Sequence, residues 1–207
     1  MNFTPSKTPL VVKKMFPNYV WDLPNSQKEI YLTFDDGPTT EITNWTLDVL
    51  KQFDAKATFF CVGDNIDKHP QVFQNIIDHG HVFGNHTHNH IKGWKSSTQT
   101  YLNNIEDASK LMPTKLFRPP YGQITPKQGK NLIKLGYHII MWNVLSLDWD
   151  STVSKESCLS NVINNTQSGS IIVFHDSEKA SKNMKYALPK VLEHFSSKGY
   201  VFKSIMI

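Results

Sequence analysis

Segments with the composition of β-strands alternate with segments of helical periodicity along almost the whole chain of 207 residues. We predict strands over residues 30–34, 56–62, 81–83, 115–118, 137–144, 170–174 and 200–205. We predict helices over residues 41–52, 66–79, 97–111, 125–136, 154–166 and 182–197. Such alternation is typical of a parallel sheet with crossover helices, either an open doubly wound sheet or a closed, barrel-like (β/α) arrangement.

The first 29 residues lack this periodicity and carry prolines at positions 5, 9, 17 and 24. We interpret residues 1–29 as an extended lead-in that packs on a single domain formed by residues 30–207. No glycine-rich phosphate loop follows the first predicted strand, which argues against a nucleotide-binding function.

Composition argues against several classes of partner. The 22 basic and 18 acidic residues give a net charge of +4, and the lysines are scattered, so we expect no nucleic-acid partner. No apolar run approaches the roughly 20 residues of a membrane span. The N-terminal stretch has no apolar core of signal-peptide length, so we expect a cytoplasmic protein or one that has lost its signal.

Ionisable and aromatic residues follow five of the predicted strands directly. They are Asp35 and Asp36 after the first strand, His86, His88 and His90 after the third, Arg118 and Tyr121 after the fourth, Asp148 and Trp149 after the fifth, and His175 and Asp176 after the sixth. The carboxyl ends of parallel strands meet at one rim, where ligands and catalytic groups collect. We therefore expect these side chains to form one site.

The spacing of the histidines suggests a metal site. His86 and His90 are four residues apart, which fits one helical turn. Successive histidines of His86, His88 and His90 are two residues apart, which fits one face of a strand. Two imidazoles and one carboxylate form a common catalytic zinc set that leaves one position open for water. Either Asp35 or Asp36 supplies the carboxylate. The alternatives are a histidine-rich surface loop or core histidines that are hydrogen-bonded to the backbone.

The other strand ends each allow two interpretations. Arg118 can hold a carboxylate ionised through paired hydrogen bonds, or can belong to a surface turn. The N–H of Tyr121 is the first backbone donor after two prolines. Trp149 can present a platform to a sugar ring, whereas we assign Trp142 to core packing. His175 is either a general acid or base, or a buried histidine with its hydrogen bonds satisfied.

Five motifs resemble, in order, those of the polysaccharide deacetylases of carbohydrate esterase family four. They are Thr33-Phe34-Asp35-Asp36-Gly37, His86-Thr87-x-x-His90, Arg118-Pro119-Pro120-Tyr121, Asp148-Trp149 and Val173-x-His175. The resemblance covers about residues 30–205. It implies a distorted, incomplete (β/α) barrel with about seven parallel strands and an acetylated glycan substrate. It also implies a divalent metal, first of all zinc, with cobalt, nickel or manganese as alternatives.

The resemblance also implies roles for the acid pair and the histidines. It makes Asp36, His86 and His90 the metal ligands. It makes Asp35 the general base that takes a proton from the attacking water, held in place and ionised by Arg118.

The remaining motifs would complete the chemistry of amide hydrolysis. By the same resemblance, the metal and the N–H of Tyr121 stabilise the oxyanion. His175, oriented by Asp148, protonates the leaving amine. Trp149 and Val173 line the acetyl pocket and the groove.

Two departures from the family pattern concern the surroundings of the site. Leu145 stands where an acid is common, which affects hydrogen bonding around the catalytic groups, and Val173 replaces a leucine, which affects the size of the acetyl pocket. The leading hypothesis is metal-dependent N-deacetylation of a glycan that contains N-acetylglucosamine. The alternatives are O-deacetylation, for instance of acetylxylan, and carbohydrate binding without turnover.

Overall fold

The computed structural model describes residues 5–24 and 27–207. Eight parallel strands form one sheet in the order β5-β4-β3-β2-β1-β7-β6, and β8 pairs with the first residues of β1. The strands are β1 (Glu29–Asp35), β2 (Ala57–Cys61), β3 (Val82–Asn85), β4 (Leu116–Phe117), β5 (His138–Ile139), β6 (Val144–Leu145), β7 (Ile171–His175) and β8 (Val201–Phe202). The helices are α1 (Leu10–Met15), α2 (Thr40–Gln52), α3 (Gly63–Lys68), α4 (Pro70–Asp78), α5 (Thr98–Leu111), α6 (Pro126–Lys134), α7 (Lys155–Ile163) and α8 (Ser181–Ser196).

Seven of these strands, β1 to β7, curl into a half-barrel covered by helices, which confirms the predicted α/β fold with an incomplete barrel. Short 3₁₀ helices at Gly93–Lys95 and Pro120–Gly122 lie in the loops beyond β3 and β4. No helix in the described part of the chain combines the length and the apolar character that crossing a membrane requires.

The central strand β1 is buried on both faces, and its two faces serve different purposes. Ile30, Leu32 and Phe34 belong to the core formed with residues of α2 and α8. Tyr31 belongs to a second cluster inside the curled sheet. Because side chains alternate along a strand, Asp35 shares the inner face with Tyr31. The pattern of β1 therefore directs its last carboxylate into the half-barrel.

The N-terminal segment lies across the gap between β5 and β6, the two ends of the sheet order. The Val20 N–H donates to Ile139 O at 2.9 Å, and the Met141 N–H donates to Val20 O at 2.7 Å. Lys7 pairs antiparallel with Val144 in β6. The predicted extended conformation was wrong for Leu10–Met15, which is helical. Residues 1–4 and 25–26 of the predicted lead-in lie outside the described residues.

Two predicted elements are each divided in the structure. The helix predicted over 66–79 is interrupted between α3 and α4 because Pro70 disfavours helical backbone at His69, whose φ and ψ are −133° and 54°. The strand predicted over 137–144 becomes β5 and β6. The carbonyls of Ile140 and Met141, between these strands, accept hydrogen bonds from the Arg118 guanidinium at 3.2 and 2.9 Å. These two carbonyls are therefore bonded to a side chain rather than to a neighbouring strand.

Candidate active site

The two adjacent carboxylates at the end of β1, Asp35 and Asp36, face the same cavity, which an undistorted strand would not allow. Asp36 adopts a left-handed backbone conformation with φ of 79°. This conformation is uncommon for residues other than glycine, although aspartate tolerates it better than most. The Asn65 side chain holds the turn by donating to Asp36 O at 2.7 Å. The bend of the chain after β1 therefore begins at Asp36 itself.

Arg118 is fully buried beneath the site and fixes Asp35. Its Nη1 donates to Asp35 Oδ1 and to Thr33 Oγ1, each at 2.7 Å. The predicted paired contact with the carboxylate is a single hydrogen bond, because Nε and Nη2 donate to backbone carbonyls instead. The guanidinium charge is thus surrounded by acceptors and lies against the inner face of β1, where its hydrogen bond fixes the position of the Asp35 carboxylate.

Asp36, His86 and His90 form a cluster suited to a metal ion. Their nearest ligand atoms all lie within 4.8 Å of one another. His90 Nε2 is 3.0 Å and His86 Nε2 is 3.7 Å from Asp36 Oδ1. Ligand atoms on a tetrahedral zinc ion lie about 3.3 Å apart, given bonds of about 2.0 Å. The three side chains therefore fit a divalent cation with little movement.

The surroundings of His86 favour the form of imidazole that binds metals. Its Nδ1 donates to Arg118 O at 2.8 Å, so the lone pair is on Nε2, the nitrogen that faces Asp36. Desolvation on burial lowers the pKa of His86 to about 4, despite opposing effects of Asp35 and Asp36. A neutral ring with Nε2 free is the state that ligates a cation.

The histidines lie in a loop, so neither the helical nor the strand interpretation of their spacing holds. Thr87 and His90 have positive φ angles of 66° and 53°. Asn85 stabilises the loop, since its Oδ1 accepts from the Thr87 N–H at 2.8 Å. His88 points away from the cluster, with Nε2 3.8 Å from Asp67 Oδ2. This loop thus brings only the first and third histidines to Asp36.

His175 lies opposite the cluster and is paired with Asp148. Its Nδ1 is 2.8 Å from Asp148 Oδ1, and its backbone N–H donates to Asp148 Oδ2 at 2.8 Å. Burial disfavours the imidazolium, but the Asp148 carboxylate outweighs this effect and raises the pKa of His175 to about 9. The ring is therefore protonated at neutral pH. The register of β1 and β7 pairs Asp35 with His175, which places this carboxylate and this imidazole on the same rim.

Aromatic and apolar residues complete a cavity of about 490 Å³. The Trp149 ring packs edge-on against His175 at 4.7 Å, and Val173 forms part of the wall. Tyr121 has a φ of 59°, and its N–H donates to no group among residues 5–24 and 27–207. Trp142, which we assigned to core packing, is half-buried and lines the cavity beside Leu145.

Sequence reasoning missed the role of Asp176 beneath the acid pair. Asp176 is buried, and its carboxylate accepts from the Gly37 N–H at 3.1 Å and the Thr43 hydroxyl at 2.5 Å. Burial raises its pKa to about 7, and Asp36 adds to this effect. A Cβ at Gly37 would lie 2.0 Å from Asp176 Oδ2, so the turn requires glycine. The one available signal was the position of Asp176 directly after His175.

The fold and the site together define a carbohydrate esterase of the incomplete-barrel class. A family model described as polysaccharide deacetylase matches residues 22–140, more than half of the chain. The chain therefore belongs to the polysaccharide deacetylase family.

Curated relatives and solved structures agree with this assignment. A peptidoglycan-N-acetylglucosamine deacetylase of Bacillus cereus is 35% identical over 205 residues, covering 95% of this chain and 96% of the relative. The peptidoglycan-N-acetylglucosamine deacetylase PgdA of Listeria monocytogenes is 32% identical over 87% of this chain and 38% of its own length. The crystal structure of the Bc1960 peptidoglycan N-acetylglucosamine deacetylase superimposes with a TM-score of 0.88 at 34% identity, covering 96% and 95% of the two chains.

Proposed function

We propose that the protein removes N-acetyl groups from N-acetylglucosamine residues of a peptidoglycan-type glycan, using a divalent metal ion held by Asp36, His86 and His90. The observation that supports this proposal is that Asp35 and His175 line a single cavity together with the cluster of Asp36, His86 and His90. The names of the relatives, which are peptidoglycan deacetylases, support the choice of glycan.

A divalent cation held by Asp36, His86 and His90 would polarise a carbonyl and lower the pKa of water. Two imidazole nitrogens and one carboxylate oxygen are the donors of many catalytic zinc sites. Cobalt, nickel and manganese are the alternatives for the same donors.

Asp35 acts as the general base. Its carboxylate, held by Arg118, accepts a proton from the attacking water as the oxygen adds to the acetyl carbonyl carbon. The free N–H of Tyr121 donates to the oxyanion that forms on the carbonyl oxygen.

His175 acts as the general acid on the opposite side. It gives its proton to the amide nitrogen as the C–N bond breaks, which releases acetate and a free amine on the sugar. Asp148 keeps the imidazolium protonated and oriented until that transfer. This arrangement favours an amide over an ester substrate, because an alkoxide leaves with less help from a proton donor.

The test is acetate release from N-acetylglucosamine oligomers, peptidoglycan fragments and acetylxylan after chelation and after addition of zinc. We expect release from the first two substrates that stops on chelation and returns with zinc. His175→Ala should reduce release from amides more than from esters. Release that persists after complete metal removal, or that occurs from acetylxylan alone, would contradict the proposal.

A further inference from the structure

A second groove of about 300 Å³ opens beside the catalytic cavity. The two share four lining residues: Tyr121, Gly122, Trp142 and Leu145. The far wall comes from Trp94 and from the N-terminal segment between Pro5 and Trp21. We refer to this surface as the aromatic groove. Because of the shared wall, it is a direct continuation of the catalytic cavity.

Two exposed aromatic rings of the groove have fixed orientations. Trp94 is 66% exposed, yet its indole N–H donates to Ile124 O at 3.2 Å. Tyr121 is 56% exposed, and its ring lies 4.7 Å from the His90 ring and 4.5 Å from Lys92 Nζ. Rings that are already ordered lose little conformational entropy when they bind a ligand. These two side chains are therefore preorganised for a ligand at the mouth of the cavity.

The N-terminal wall is also held in place. The Phe16 and Tyr19 rings stack with centroids 5.5 Å apart, and the Trp21 indole N–H donates to Phe16 O at 3.1 Å. Lys13 forms an ion pair with Asp22. The segment is further anchored to the sheet through Val20, as described above. The groove is thus a defined shape of the folded chain.

The chemistry of the groove fits a sugar ring. The Trp94 indole N–H and the Thr8 hydroxyl, which donates to Trp142 O at 2.8 Å, already have partners. The groove therefore offers mainly ring faces and aliphatic groups, which pack against the C–H faces of a pyranose.

We propose that the aromatic groove is a subsite for a second pyranose ring of the glycan, next to the acetylated ring in the catalytic cavity. This proposal rests on the proposed function, which sets the position of the acetylated ring and therefore of the second ring along the glycan. The N-terminal segment is then part of the substrate-binding surface, in addition to closing the gap between β5 and β6.

The kinetic test compares the wild-type protein, Trp94→Ala and Trp94→Phe on N-acetylglucosamine and its oligomers up to the hexamer. Loss of one stacking platform should raise KM about tenfold for long oligomers, with kcat unchanged. Trp94→Phe should keep most of the affinity, and the monosaccharide should not distinguish the variants. An equal effect on all chain lengths, or no effect, would overturn the subsite.

A matched pair on α1 tests the groove from its other wall. Val12 lines the groove, so Val12→Trp should fill it and raise KM for long oligomers. Val11 is 63% exposed and does not line the groove, so Val11→Trp should leave KM unchanged. Equal behaviour of the two variants would count against the subsite.

Calorimetric titration of the hexamer into Asp35→Asn, with and without Trp94→Ala, separates this inference from the proposed function. If the wild-type protein releases no acetate but Trp94→Ala still weakens hexamer binding about tenfold, the proposed function fails and the subsite stands. Unchanged hexamer binding in the Trp94→Ala background overturns the subsite, whether or not acetate is released.

Discussion

Asp148→Asn tests the proposed role of His175 as the general acid. The substitution removes the carboxylate that raises the pKa of His175 to about 9 but leaves the burial that lowers it. The pKa of His175 should then fall from about 9 toward its ordinary value of 6.5, because burial lowers it while Asp36 and Asp35 still raise it. A pKa of 6.5 would lower the protonated fraction of His175 at pH 7 from about 99% to about 25%.

We expect kcat to decrease by more than the loss of protonated His175 alone would cause. The asparagine side chain also offers one acceptor oxygen for two donors, the Nδ1–H and the backbone N–H of His175, so one of the hydrogen bonds that orient the imidazole is lost. Positioned general acids contribute about 10²- to 10⁴-fold, and we expect a decrease of that order in kcat at pH 7. The descending limb of the pH–rate profile, near pH 9 in the wild-type protein, should move toward about pH 6.5.

The assay is acetate release from N-acetylglucosamine oligomers across the pH range. Asp150→Asn is the matched control, because Asp150 lies two residues away and bonds Thr152 rather than His175. Thermal unfolding of both variants shows whether the fold is retained. If Asp148→Asn folds normally and keeps the wild-type pH profile, then the assignment of His175 as the general acid is incorrect.

The remaining predictions concern support for the site. Asp176→Ala leaves two buried donors, the Gly37 N–H and the Thr43 hydroxyl, unpaired. It should lower the free energy of unfolding, measured by urea denaturation, by about 2–4 kcal/mol. Glu178→Ala, at an exposed position, is the control and should change this free energy little. Because the pKa of His175 is raised, its pairing with Asp148 stabilises the fold fully below about pH 6.5 and is lost as pH rises through about 9. The melting temperature should therefore fall between about pH 7 and pH 10, and less steeply in Asp148→Asn. Asn85→Ala should weaken zinc binding measured by calorimetry, because Asn85 holds the histidine loop; unchanged affinity would contradict that role.

That the site residues lie close together could be predicted, because each follows a strand that is recognisable from its own residues. Once the strands are parallel, residues just past their carboxyl ends must meet at one rim. The structure places Asp35, His86, Arg118, Asp148 and His175 on that rim, as the sequence indicated.

Long-range hydrogen bonds account for what the sequence did not indicate. The division of the predicted strand over 137–144 depends on carbonyls that accept from Arg118, about 20 residues earlier in the chain. The crossing of the β5–β6 gap by the N-terminal segment depends on contacts of Val20 with β5. Asp176 supports Gly37 from 139 residues away. None of these pairings has a local signature in composition or periodicity.

The most direct test of the central claim, that adjacent carboxylates have separate roles, is bound zinc and acetate release measured together in Asp35→Asn and Asp36→Asn. We predict that Asp35→Asn retains one zinc ion per chain and loses acetate release, whereas Asp36→Asn loses both. Zinc retained at full stoichiometry in Asp36→Asn, or acetate release undiminished in Asp35→Asn, would contradict the account.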